Sequence, residues 1–307
     1  MGKIKIAIFG SGGLLGKHLS SFCDEYMYTY KSWNRNECDI SSKESVRLAI
    51  DEFKPNIIIN AAAATDVDKC EVDNGYAYMT NSFGPMYLAE AANRVGAKII
   101  HFSTDYVFPG SKPSDTSYHE EDNVEPISVY GKSKLLGEKL LAKNANNYLI
   151  VRVAWLFGIG GKNFISKIPV ILKKDKRITA ICNQWSSPTY VNDIIYWIFK
   201  NYGLKNGTYH VVNSGSYSYY DAASIAAQIL EIPLSSIIKV DRNQLNQHAK
   251  RPINSTLSSC LVSNLRPFGE AYKDYIVRLA YVCERGIEAR LQQKHKGIHN
   301  EKVQHID

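Results

Sequence analysis

Near its start the chain reads "IKIAIFGSGGLLG" (residues 4–16). A short β-rich apolar run is followed by Gly10, Gly13 and Gly16 at three-residue spacing, and then by an amphipathic segment reaching about Glu25. Few patterns restrict a backbone so tightly. A strand that runs through G-x-x-G-x-x-G into a helix uses glycine for a tight turn, for close approach of backbone N–H groups to a pyrophosphate, and for packing helix on strand. The pattern points to a nucleotide-binding βα unit, with Leu14 and Leu15 beside the phosphates. Away from a first strand, the same glycines would read as a flexible turn.

The first half of the chain repeats this rhythm. "YTYKSW" (28–33) reads as a second strand. "SSKESVRLAIDEF" (41–53) reads as a helix, opened by a capping-box pattern from Ser41 to Glu44 and ended before Pro55. A buried strand (56–60), a helix (74–95), a strand (97–103), a helix (128–143) and a strand (148–153) follow. Strands rich in Ile and Val that alternate with helices imply a parallel sheet covered on both faces. The expectation is an α/β protein with a Rossmann-type doubly wound parallel sheet, residues 1–155 forming the NAD(P)-binding domain. Beyond it the rhythm breaks into helical patches (162–174, 189–201, 218–231). Residues 156–282 are expected to form mostly a smaller substrate-binding domain, with one segment returning to the main sheet. Residues 283–307 read as a polar tail, a helix and then a frayed end.

Composition narrows the function. Of 307 residues, 45% are hydrophobic and 22% charged, a globular balance rather than a disordered one. No run approaches the ~20 apolar residues of a membrane span, so no membrane partner is expected. The net charge of +7 suits anionic small ligands, but its lysines and arginines are scattered, which speaks against nucleic acid. Six cysteines form no CxxC pair and no zinc-ligand set; reduced, mostly buried thiols and a cytoplasmic location are expected.

Two further stretches carry chemistry. After the second strand comes "SWNRNECDIS", where an NAD site offers a carboxylate to the ribose and an NADP site a cation. Arg35 lies where a 2′-phosphate would be, with Glu37 as competitor, and Asp39 and Ile40 border the adenine. NADPH is expected, with NADH as the alternative. Farther on, "IIHFSTDYVF" sets Ser103 and Thr104 at a strand end, and "PISVYGKSKLLGE" sets Tyr130 and Lys134 one helical turn apart. Carbonyl reduction needs such a set, because hydride reaches carbon while oxygen takes a proton. A phenol with a reference pKa near ~10 is tuned for that transfer by a nearby ammonium. Thr104 would hold the carbonyl oxygen in line with Tyr130, and Lys134 would also bind the nicotinamide ribose.

With these blocks the sequence resembles the extended short-chain dehydrogenase/reductase superfamily, and within it the dTDP-4-dehydrorhamnose reductase family. The resemblance rests on "GSGGLLG", "PNIIINAAAATDVDKCE", "STDYVF", "YGKSKLLGE", "RVAWLFG", "NF", "SSPTYVND" and "AKRPINSTL", dispersed from residue 10 to about 257. It implies Thr104, Tyr130 and Lys134 as the catalytic set. It implies Ala62, Ala63 and Thr65 along the cofactor, with Asn81 supporting the backbone there. Val67, Tyr106, Trp155, Asn163 and Arg251 would face a nucleotide-sugar substrate, and Asp66 and Asp68 would be solvated loop carboxylates. The implied reaction is NADPH-dependent reduction of a 4-keto-6-deoxy sugar nucleotide to dTDP-L-rhamnose. Members with a magnesium-bridged dimer carry Glu where this chain has His18, so no metal is expected; a homodimer stays open. Pro109 and Ser258 stand where the family usually has Asp.

Other readings are weaker. A 4,6-dehydratase would place Glu after Thr-Asp, and this chain has Tyr106. An epimerase, or a reductase of another 4-keto sugar, shares the motifs. A non-catalytic NADP-binding regulatory subunit would show an eroded Thr-Tyr-Lys set.

Overall fold

The computed structural model describes residues 4–244 and 248–303. Six short apolar runs pair into one sheet: β1 (Lys5–Phe9), β2 (Thr29–Trp33), β3 (Ile57–Asn60), β4 (Lys98–Thr104), β5 (Tyr148–Val153) and β6 (Gly207–His210). Their order is β6-β5-β4-β3-β1-β2, and every neighbouring pair is parallel. Alternate residues feed opposite faces, as the two-residue period of a strand requires. Ile6, Ile8, Ile57, Ile59, Ile100 and Val151 belong to one core, whereas Ala7, Phe9, Ile58, Ile99 and Ile150 belong to the other. Both faces are covered, which is why these strands read as unbroken apolar runs. The order in which successive strands are added to the sheet reverses between β1 and β3. The crevice of an open α/β sheet forms at such a switch point, beyond the carboxyl ends of the strands.

Helices α1 (Leu14–Glu25) and α2 (Lys43–Phe53) lie on opposite faces, contributing Leu15 and Leu19 to one core and Val46 and Ile50 to the other. The N-cap of α2 is Ser42, which accepts from the Ser45 N–H; the Ser41–Glu44 capping box does not form. Ser41 instead donates to Asp39 at 2.7 Å. A short helix α3 (Val67–Val72), capped by Asp66, was not apparent from periodicity. The expected helix 74–95 consists of α4 (Asn74–Tyr78), a wider π turn (Met79–Phe83) and α5 (Gly84–Val95). Helix α6 (Val129–Asn144) presses Gly137 against that turn, so closely that a Cβ would collide with the Asn81 carbonyl oxygen.

Beyond β5 come α7 (Phe164–Asp175), α8 (Val191–Asn201), α9 (Tyr219–Ile229) and α10 (Phe268–Val303). Two small parallel strands, Ile178–Ile181 and Ile237–Val240, pair beside α9. This part is not confined to one side of the molecule. Helix α8 packs on α1, and β6 is hydrogen-bonded to β5 at the edge of the main sheet. Helix α10 runs unbroken across residue 283; residues 304–307 of the expected tail lie outside the described residues. Of the cysteines, Cys23, Cys38 and Cys70 are buried, Cys182 is half-buried, and Cys260 and Cys283 are exposed; all are free thiols. No described helix is long and apolar enough to cross a membrane.

Candidate active site

The carboxyl ends of β1, β3, β4 and β5 open onto a cavity of about 530 Å³. Gly13, Leu14 and Leu15 line it from the first turn of α1, and Ala62, Ala63, Thr65 and Val67 from the segment after β3. Thr104 and Tyr106 line it at the end of β4, Tyr130 and Lys134 from α6, and Trp155 and Asn163 from beyond β5. With Ser103, fourteen residues singled out in the sequence thus line one cavity. Gly10, Gly16, Arg35, Asp39, Ile40, Asn81 and Arg251 do not line it.

Each of those seven has a definable place. Gly10 has φ +86° and lies against the Ala62 backbone, where a Cβ would come within 2.6 Å of the amide nitrogen. Gly16 allows α1 to sit on that turn. The helix N-terminus has no side-chain cap, so its first N–H groups are free for an anion beside Gly13 and Leu14. Arg35 stands exposed after β2, 4.8 Å over the Tyr76 ring and 3.7 Å from Asp39. Glu37 does not compete for that space, because it turns back to accept the Asn34 N–H at 2.8 Å. Ile40 is core rather than wall, packed on Gly84. Asn81 is fully buried behind the wall, taking the Ala64 N–H at 2.8 Å and donating to the Ala64 carbonyl and to Ser133 Oγ. It is therefore a brace for the segment after β3, not a contact surface. Arg251 pairs with Asp68 at 2.6 Å. Asp68 is thus ion-paired although its side chain stays 44% exposed; it also accepts the Ala249 N–H, which joins α3 to the 249–251 segment.

Tyr130, Lys134 and Thr104 meet because β4 ends where α6 begins to pass beneath it. Ser128 caps α6, and Gly131 lets the helix close on the Tyr106 carbonyl, where a Cβ would not fit. Tyr130 lies edge-on to Tyr106, with centroids 5.7 Å apart. Burial pushes its phenol well above the ordinary tyrosine range, so it holds its proton throughout neutral pH. Lys134 does not point its amine at Tyr130 through a hydrogen bond; it donates to the Phe102 carbonyl at 2.6 Å. Burial lowers Lys134 to about 8. Behind it, Asn60 accepts the Ala62 N–H through Oδ1 and turns its amide nitrogen to His101 Nδ1 at 3.0 Å. That leaves the His101 proton on Nε2, 3.3 Å from the lysine nitrogen, a further reason for the ammonium to be acidic.

The outer wall is aromatic. Trp155, with φ +36°, stacks on Tyr219 with centroids 3.9 Å apart, and Phe164 meets Tyr219 edge-on. Asn163 caps α7 by accepting the Ser166 N–H and donates to the Leu156 carbonyl, so both ends of its amide are engaged. Sequence reasoning missed Tyr219, Asp105, His101 and Asp68. The first lies in a stretch of tyrosines with no motif, and the others act through partners distant in sequence. His18 bridges α1 to Asn192 and to the Ile159 carbonyl, at 2.9 Å each. The Ser103 hydroxyl and the Trp155 Nε1–H are buried at the cavity without a partner among the described residues, the sort of groups a polar ligand would satisfy.

A model of the family described as "RmlD substrate binding domain" matches residues 4–280. The chain belongs to that family. Among its relatives, the dTDP-4-dehydrorhamnose reductase of Aggregatibacter actinomycetemcomitans is 38% identical over 269 residues, covering 82% of this chain and 90% of that one. The spore coat polysaccharide biosynthesis protein SpsK of Bacillus subtilis is 32% identical, covering 91% and 99%. A solved structure of dTDP-4-dehydrorhamnose reductase from Bacillus anthracis, in complex with NADP, superposes with a TM-score of 0.85 at 32% identity, covering 90% of this chain and all of that one. The likeness spans the glycine turn, the Thr-Tyr-Lys set and the aromatic wall in one continuous match, so it applies to the family's whole body rather than to an isolated nucleotide-binding unit.

Proposed function

We propose that this protein reduces the 4-keto group of a nucleotide-activated 6-deoxy sugar with NADPH, converting dTDP-4-dehydro-L-rhamnose to dTDP-L-rhamnose. The observation that carries the reading is the convergence of Thr104, Tyr130 and Lys134 on one cavity wall, beside an uncapped helix N-terminus. The residues fit the dinucleotide: free N–H groups at Leu14 and Leu15 suit a pyrophosphate, and Arg35 is free of Glu37 to meet a 2′-phosphate. When bound, the nicotinamide supplies the hydride. Ala62, Ala63 and Thr65 would line the cofactor path, on a segment that Asn81 holds in place.

In this reading Tyr130 donates the proton to the carbonyl oxygen, and burial keeps that proton on the phenol until the oxygen gains charge. Lys134 lies within one turn on the same wall, where it binds ribose hydroxyls and stabilises the tyrosinate left behind. Val67, Tyr106, Asn163 and the Trp155–Tyr219 stack take the sugar, and Arg251, released from Asp68, takes diphosphate oxygens as a bidentate fork. Residues 1–155 serve the cofactor and 156–282 mostly the substrate, in the cytoplasm, with a homodimer as the assembly to test by light scattering. The relatives named as reductases of this substrate support it, as does NADP bound in a solved neighbour.

The decisive assay follows NADPH oxidation with enzymatically prepared dTDP-4-dehydro-6-deoxy-L-hexose and identifies the product by NMR. Turnover to the L-rhamno product is expected. Tyr130→Phe should lower kcat by about 10²- to 10⁴-fold while leaving NADPH affinity near that of the parent. NADPH binding without turnover in the unmodified protein would overturn the reductase reading.

A further inference from the structure

Of the residues lining the cavity, Asp105 alone carries a carboxylate. It is 2% exposed and has no ion-pair partner among the described residues. Three hydroxyls serve it instead. Ser186 donates to Oδ2 at 3.0 Å, Ser255 to the same oxygen at 2.5 Å, and Thr104 to Oδ1 at 3.1 Å. Ser186 and Ser255 come from "SSPTYVND" and "RPINSTL", two stretches more than 80 residues beyond Asp105 in the chain.

The arrangement fixes a polarity. A hydroxyl has one proton, and an ionised carboxylate accepts only. The Thr104 proton is therefore committed to Asp105, and one Thr104 lone pair takes the Tyr106 N–H at 3.2 Å. Tyr130 lies within hydrogen-bonding reach of Thr104, and with that proton held by Asp105 it is the second lone pair that is left for the phenol.

We propose that Asp105 is a positioning residue: by holding the Thr104 proton it makes Thr104 an acceptor toward the cavity, so that of the Thr104–Tyr130 pair it is Tyr130 that donates to the reacting oxygen. The inference rests on the reductase reading and assigns Thr104 the orientation of the phenol rather than polarisation of the carbonyl.

Asp105→Asn reverses the polarity. The amide oxygen must face Ser186 and Ser255, so the amide nitrogen faces Thr104 and donates to it. The Thr104 proton then turns to the Tyr130 oxygen, a bond that favours the phenolate. Acid does the same to the unmodified protein, because burial has pushed Asp105 up to about 6. The groups around it do not titrate in that range. Tyr106, Tyr130 and Tyr219 are phenols raised by burial, Lys134 and Arg251 stay protonated, and His101 is held neutral by burial beside Lys134.

The test uses ¹³Cζ-tyrosine NMR on the full chain, with the Tyr130 signal assigned from Tyr130→Phe, together with pH profiles of NADPH-dependent reduction. In Asp105→Asn the Tyr130 signal should titrate about one pH unit lower than in the parent. Reduction should fall about tenfold in kcat with NADPH affinity kept, and the acid limb near 6 should vanish. Ser255→Ala, a milder change, should move that limb to higher pH by removing a donor to the carboxylate. An unmoved Tyr130 titration in Asp105→Asn, or an unmoved acid limb in Ser255→Ala, would overturn the proposal. If no protein turns over but the Tyr130 titration shifts, the reductase reading falls and the polarity of Thr104 stands.

Discussion

Lys134 and Arg35 show how differently two cations can be legible. Tyr130 and Lys134 announced themselves by a four-residue spacing that a helix converts to one face. Where the amine points, to the Phe102 carbonyl, depends on the end of β4 and could not be read from α6 alone. Its depressed value sets a pH expectation. Below about 8 the ammonium is present, and above it the amine is neutral. The kcat/KM for reduction should therefore stay level through neutral pH and fall as pH rises past that point; a profile flat to the tyrosine range would deny Lys134 an electrostatic role. Arg35 was placed by its distance from the second strand, and the structure removes its rival by turning Glu37 onto Asn34. Arg35→Ala should weaken NADPH by about tenfold and NADH hardly at all, measured by fluorescence titration; equal losses would refute a phosphate contact. The Arg251–Asp68 pair was out of reach of sequence reasoning for a physical reason. Its partners lie 183 residues apart, and only the closed tertiary structure brings them together.

Elements were legible where their period was long and their ends marked. β1, the glycine turn and α1 fall where the pattern put them, as do α6 and β5. The run from 74 to 95 keeps its apolar spacing across the π turn, so one extra residue in the backbone leaves no trace in the pattern. That turn nevertheless presents Asn81 inward to Ala64 and Ser133. Helix α6 reaches it only because residue 137 lacks a Cβ. Gly137→Ala would ordinarily favour a helix, but here the methyl meets the Asn81 carbonyl. A net loss of about 1–3 kcal/mol is expected in urea denaturation, together with weaker cofactor binding as the segment after β3 shifts. The same substitution at Gly203, where nothing lies near the added methyl, is the control.

For the whole molecule, β6 is the part the sequence concealed. Its four residues, Gly207–His210, sit between loops and carry no run long enough to stand out. Yet they close the sheet edge along β5, and α8 covers the face beneath. A fragment ending at residue 155 would leave β5 with an unpaired edge and part of an apolar face bare. It should aggregate on size-exclusion chromatography, whereas the same fragment supplied with residues 156–282 in trans should recover in part. A monomeric, cooperatively melting fragment would contradict this.

The distances in sequence among Thr104, Asp105, Ser186 and Ser255 also bear on how the protein comes to life during synthesis. The glycine turn and α1 are complete within the first 25 residues, but the three hydroxyls that fix Asp105 are not all present until residue 255 has been made. A nascent or truncated chain can thus own a finished cradle for a dinucleotide while its acid group has no fixed direction. Activity would then arrive only when the last third of the chain docks.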